Sequence, residues 1–237
     1  MTRVLPPLRA PWIVPLLLAA AAFVPAAHAQ GRTVDDVLAA LEASAAAIVD
    51  LEFLLEGELI DEAGQTFRLE VEVLAIPAEP AIGLYIVQPD AIADNQVVVV
   101  GDEVRNYTFL TNQVSLFDTS DPDAFGGLIE PSADGSLPLS VDLAAVFAGW
   151  DAAIEDEADG TVTVRFDNRD PEAALRTVLA TVTNDTWDPV RLVFFRTGDA
   201  LFADLRFVDW TRDQGLSLDD VTYLPEDAEV LDRRSDP

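Results

Sequence analysis

The sequence predicts an α+β protein: one strongly curved antiparallel sheet of about ten strands, forming an incomplete β-barrel covered by two or three short helices. Three observations lead there. A single early segment has helical hydrophobic spacing, and the period then changes to two for most of the 237 residues. Clusters of Pro, Gly and Asp cut the remainder into short runs, and no internal repeat of fixed period is present.

The opening stretch places Arg3 and Arg9 ahead of an apolar run from Ile13 to Val24, followed by Ala27-His28-Ala29. This pattern predicts a secretory signal peptide over residues 1–29, cleaved after Ala29, with residues 30–237 as a single domain. The apolar run is shorter than the roughly 20 residues of a spanning helix, and Pro15 and Pro25 interrupt it. No Cys follows it, so lipid attachment at a lipobox is excluded and a soluble exported species is expected.

Charge and composition narrow the function classes. The leader carries two of the 14 basic residues and none of the 43 acidic ones, leaving 12 against 43, a net charge of −31. Such a field disfavours nucleic acid and anionic lipid surfaces. The chain has no Cys or Lys, and its one His, His28, lies in the leader. Thiol, imidazole and amine catalysis are therefore unavailable, and the fold is held by burial alone. No GxSxG, Walker loop, HExxH or GxGxxG occurs.

After the leader, Thr33 and Asp36 make a capping pair. Val34, Val37, Leu38, Leu41, Ala45 and Ile48 then recur at helical spacing, predicting a helix over 34–49. Leu51, Phe53, Leu55 and Leu59 alternate with Glu52, Glu56 and Glu58, and after "DEAG" Phe67, Leu69, Val71 and Val73 alternate with Arg68, Glu70 and Glu72. That is a hairpin with one apolar and one acidic face. Further strands are expected at "IGLYIV", "NQVVVV", "EVRNYTFL" and "QVSLFD", with turns at Gly101-Asp102 and Thr111-Asn112. A long Pro/Gly/Ser/Asp-rich loop follows over 119–138, then a short helix over 141–149. Strands follow at 150–155, 161–166, 177–183, 189–196 and 201–210, with a turn of helix at "DPEAAL" and a last strand near Val221.

The polar clusters read as turns. Counting from Glu155, the twelfth position is Phe166 rather than the Glu that a calcium loop needs. "DTSDPD" and "DNRDPE" are carboxylates beside prolines, ordinary turn formers that support neither a metal site nor a carboxylate hydrolase. What remains is the apolar face of the strands. It either packs into a closed core or, under so few helices, leaves an apolar concavity able to take a ligand. The residues expected to line such a cavity are Phe53, Leu55, Phe67, Val71, Phe194, Leu205, Phe207 and Trp210, with Val37, Leu41 and Ile48 as lid contacts from the helix.

The order of these pieces resembles a known family. The leader, amphipathic helix and hairpin are followed by "IPAEPAIGLYIVQPDAIADNQVVVVGDEVRNYTFLTNQVSL", by "DGTVTVRFDNRDPEAALRTVLATVTNDTWDPVRLVFF" and by "LFADLRFVDWTRDQGLSLDDVTYLPEDAEVL". Together they look like the periplasmic outer-membrane lipoprotein carriers, the LolA-like proteins. The resemblance implies an incomplete barrel closed by helices, whose cavity accepts the acyl chains of lipoproteins or related lipids and carries them toward the outer membrane. It implies no cofactor, no metal and no enzymatic step. The implied partners are an inner-membrane lipoprotein-release transporter and an outer-membrane receptor, and the chain would act as a monomer. A periplasmic lipid- or lipoprotein-sensing regulator of the same fold is the alternative. Two departures stand out. The family's Arg after the first Pro is replaced here by Gly83 and Leu84, with its role not transferred to Arg105, and its final Phe-x-Phe appears as Val221-Thr222-Tyr223.

Overall fold

In the computed structural model, residues 32–61, 63–121, 124 and 143–234 are described. Helix α1, Val34–Ala47, begins at a capping box: the Asp36 amide donates to Thr33 Oγ1 at 3.2 Å and the Thr33 amide donates to the Asp36 carboxylate at 3.0 Å. It ends two residues before the expected Val49. The Val49 amide instead donates to Asp213 Oδ1 at 2.8 Å, which takes it out of the helical ladder.

Twelve strands follow: β1 (Leu51–Ile60), β2 (Thr66–Ile76), β3 (Ala81–Gln88), β4 (Gln96–Val100), β5 (Glu103–Thr108), β6 (Gln113–Asp118), β7 (Asp151–Ala158), β8 (Thr161–Asp167), β9 (Leu175–Thr183), β10 (Pro189–Arg196), β11 (Ala200–Arg212) and β12 (Glu229–Asp232). They form one curved, unclosed sheet in the order β12-β6-β5-β4-β3-β2-β1-β11-β10-β9-β8-β7, antiparallel except for the β12–β6 pair. Helices α2 (Leu143–Val146) and α3 (Leu218–Val221) complete the described elements, with 3₁₀ turns at Asp90–Ile92 and Phe109–Thr111. The β7–β8 turn is Asp159-Gly160 with φ of 52° and 83°, the doubly positive pair that a tight hairpin demands. The would-be calcium loop is therefore a hairpin corner.

Three sequence expectations are corrected. Val221 sits in α3 rather than in a closing strand, because Ser217 and Asp220 form a second capping box that starts a helix there. The final strand lies later, at β12, and runs parallel to β6. Residues 170–174 form turns instead of a helical turn, since the Asn168 and Asp170 carboxamide and carboxylate oxygens accept the Asp170 and Glu172 amides at 3.0 and 2.9 Å. Most of the expected loop at 119–138, and the start of the expected second helix at Val141, lie outside the described residues.

Register carries one apolar face across the sheet. Leu55 pairs with Val71 and Phe207, Val71 with Ile86, Val73 with Leu84 and Leu84 with Val97, while in the other direction Leu205 pairs with Leu192, Ala180 with Val164 and Phe166 with Ala152. This face is divided into two packed clusters. One joins Val37 and Leu41 of α1 and Leu143 of α2 to Val162, Val164, Phe166, Val178, Ala180 and Val182, with Phe147 stacked 4.6 Å from Phe166. The other gathers around Phe53, Val71, Leu84 and Val97 in the β1–β5 half.

Opposite that face, the chain after β11 crosses the outside of β2–β5. The buried Asp50 carboxylate accepts the Gln214 and Gly215 amides at 2.8 and 2.9 Å, and its carbonyl accepts the Asp213 amide at 2.9 Å. From this anchor α3 is laid on β3, where Tyr85 donates to the Val221 carbonyl at 3.3 Å. A Cβ on Gly83 would stand 2.5 Å from that same carbonyl oxygen. Gly83, in the segment where the carrier family places an Arg, therefore admits the backbone of α3.

Candidate ligand-binding face

Phe53, Phe207 and Trp210 form the centre of the β1–β5 half. Their ring centroids lie 5.2 Å (Phe53–Phe207), 5.0 Å (Phe53–Trp210) and 5.9 Å (Phe207–Trp210) apart, with Trp210 stacked on Phe53 and edge-on to Phe207. Strict alternation from Phe207 would send Trp210 to the outer face. A register shift opposite Glu52–Leu54, with Asp209 at φ 52°, inserts an extra residue in β11 and turns the indole inward.

Leu55 and Leu69 are partly buried against this cluster, and Phe67 lies farther out on the same β2 face, 43% exposed. Leu205 is buried on the same face, opposite Gly57. Phe194, also expected here, packs instead against the α1-covered cluster. The lid contacts are divided likewise: Val37 and Leu41 belong to the helix-covered half, while Ile48 joins the aromatic half. Sequence reading did not single out Val73, Leu84, Ile86, Val97 or Val99, although their alternation signals them, nor Ile92 and Ala124, which come from irregular segments.

The residues alternating onto this face from Leu51 to Leu59, Phe67 to Ala75, Ile82 to Ile86 and Ala203 to Phe207 carry no charge. Charges stand on the opposite face, where Glu56 pairs with Glu70 and Arg206, and Glu58 with Arg68 and Asp204. There Arg191 grips Asp204 through two parallel bonds of 2.7 and 2.5 Å. The Arg191 hydrogen bond holds the Asp204 carboxyl below the ordinary carboxylate range. A depressed folded pKa means the pair stabilises the fold at neutral pH and loses that contribution as pH falls through and below that range. Asp204→Asn is therefore expected to lower the melting temperature at pH 7 and to lower it by progressively less as the pH is taken down through the acid range, read by thermal melts across a pH series.

Two surface grooves lie elsewhere. One of about 530 Å³ runs between α1 and the β9–β10 turn, touching Ala40, Ser44, Trp187 and Arg212. The other, about 470 Å³, lies beside β3–β5 and touches Tyr85, Gln96, Tyr107 and Phe109. Neither includes any of the expected lining residues. Among the described residues no cluster of His, Cys, Asp and Glu is placed to hold a metal ion, and no helix is long and apolar enough to cross a membrane.

An open antiparallel sheet with one continuous apolar face, half of it covered by helices, defines an α+β fold of the incomplete-barrel class. Solved structures share it. An uncharacterized conserved protein from Thermus thermophilus superposes with a TM-score of 0.59 at 18% identity, over 84% of this chain and 98% of that one. MucB superposes at 0.50 and 12% identity, over 83% of this chain and 64% of its own length. A LolA superfamily protein from Nitrosomonas europaea is also among the structural neighbours, at 0.41 and 11% identity over 81% of this chain and 98% of that one. At these identities a likeness shows fold alone. No protein-family model and no curated protein matches the chain in sequence.

Proposed function

We propose that the protein is an exported periplasmic carrier that binds acyl chains of lipoproteins or related lipids on the β1–β5 half of its apolar face and moves them toward the outer membrane. One observation carries this reading: helices α1 and α2 fill the β7–β10 half, whereas the other half presents an uncharged aromatic centre with partly exposed Leu55, Leu69 and Phe67 leading outward. Each buried methylene contributes about 0.8 kcal/mol, so aliphatic and aromatic walls alone suffice to hold a chain and still release it. The order of sequence pieces shared with the LolA-like carriers supports the same function. No covalent step is involved, and the partners would be a lipoprotein-release transporter and an outer-membrane receptor.

Titration with a fluorescently labelled monoacylglycerol, a neutral acyl lipid, tests the reading. Wild type is expected to saturate at one site, and Leu55→Glu, which places a charge on the face, to weaken binding at least about tenfold, with circular dichroism checking that the variant is folded at the assay temperature. Absence of saturable binding to wild type would overturn it.

A second reading follows from the likeness to MucB, a protein also solved in complex with MucA. On that reading the chain is a lipid-responsive regulator of a membrane-protein partner. It predicts a stable complex with one envelope protein, isolable without crosslinking, whose yield changes with added lipid, where a carrier would make only transient contacts with its transporter and receptor.

A further inference from the structure

The aromatic centre contains one polar atom without a partner. Trp210 Nε1 is buried and makes no hydrogen bond among the described residues. A buried unpaired donor costs free energy that a Phe at the same position would not incur, yet β11 accepts a left-handed Asp209 and a register shift to turn this indole inward. The ring packs against Phe53 and Phe207, so its N–H faces an apolar environment in which an acceptor would bind more strongly than in water.

Building on the proposed acyl-binding role, we infer that Trp210 is the polar anchor of that site and donates its N–H to the carbonyl oxygen of a neutral acyl ester or amide. A neutral carbonyl is the matching acceptor. A free carboxylate would bring a charge onto a face where Arg212, opposite Leu51 and two residues past Trp210, is already paired with Asp188 at 3.4 Å, and burying an unpaired charge there is costly. A pure hydrocarbon or an ether would leave the N–H unpaired. The site thereby selects O-acyl and N-acyl lipids, in which a carbonyl heads the chain, over chains without one.

The test compares 1-monopalmitoylglycerol with 1-O-hexadecylglycerol, which share headgroup and chain length and differ in the carbonyl, by displacement of N-phenylnaphthylamine. Wild type is expected to prefer the ester by about three- to tenfold. Trp210→Phe is expected to bring the ester's affinity down to the ether's, leave the ether unchanged and melt no lower than wild type. The indole ¹⁵N–¹H resonance that disappears in Trp210→Phe is expected to shift on adding the ester but not the ether. Equal affinities in wild type, or a preference that survives Trp210→Phe, would overturn the anchor while leaving the carrier reading intact. Failure of both lipids to displace the probe would overturn the carrier reading and the anchor with it.

Discussion

Gly57→Ala is expected to destabilise the fold by at least about 3 kcal/mol, lowering the melting temperature by roughly 10 °C for a domain of this size. Gly57 lies on the apolar face between Leu55 and Leu59, opposite Leu205. A Cβ there would stand 2.0 Å from the Asp204 carbonyl oxygen and 2.9 Å from Leu205 Cα, both backbone atoms that no rotamer change can move aside. The missing side chain lets β11 approach β1 closely and bend the sheet at the point where Leu205 and Phe207 enter the candidate site. Thermal and urea melts check this. A Gly57→Ala protein that melts like wild type would contradict the close approach and the curvature built on it.

Asp50→Ala carries the second large effect. The residue is 2% exposed, and its carboxylate accepts the backbone amides of Gln214 and Gly215 where the chain leaves β11. Its loss leaves two donors unpaired, a cost of about 2–5 kcal/mol. The structural consequence reaches further than the turn. The same segment sets α3 on Gly83 and Tyr85 and closes the end of β11, shortly after Trp210. Hydrogen exchange is expected to accelerate over 213–221 in Asp50→Ala, with Asp50→Asn intermediate because one carboxamide oxygen still accepts. Unchanged protection there would show that the segment is held by apolar contacts alone.

Much of this fold was legible in the sequence because periodicity is a direct imprint of burial. The change from helical spacing to alternation at Leu51 marks the α1–β1 junction, and the Asp159-Gly160 pair marks a hairpin by backbone sterics alone. Aromatic positions on alternating strands likewise placed Phe53, Leu55, Val71 and Phe207 on one face. Other features depend on partners distant in the chain. Apolar Val221 and Tyr223 suggest a strand, but the Ser217–Asp220 box decides for a helix, and the parallel pairing of β12 with β6 joins residues more than a hundred positions apart. The division of the apolar face between α1 and the aromatic centre was equally hidden. Val37, Leu41 and Ile48 share one stripe, and only the turn at Ile48 sends the last of them to the other half. The inward aim of Trp210 rests on a one-residue bulge that alternation contradicts.

The same placement gives meaning to residues without chemistry. Gly83 stands where an Arg would be expected from the carrier family, and it serves the outer face rather than the apolar one. What the structure puts at Gly83 is the backbone of α3, held by the Tyr85 hydrogen bond to the Val221 carbonyl.

Native mass spectrometry of the protein isolated from an envelope fraction, followed by delipidation and reloading, reads acyl-lipid binding directly. A one-to-one adduct with the mass of an acylated species is expected, lost on delipidation, regained with monopalmitoylglycerol and diminished in Leu55→Glu. Wild-type protein that carries no adduct and takes none up on reloading, while fully folded, would contradict the carrier reading.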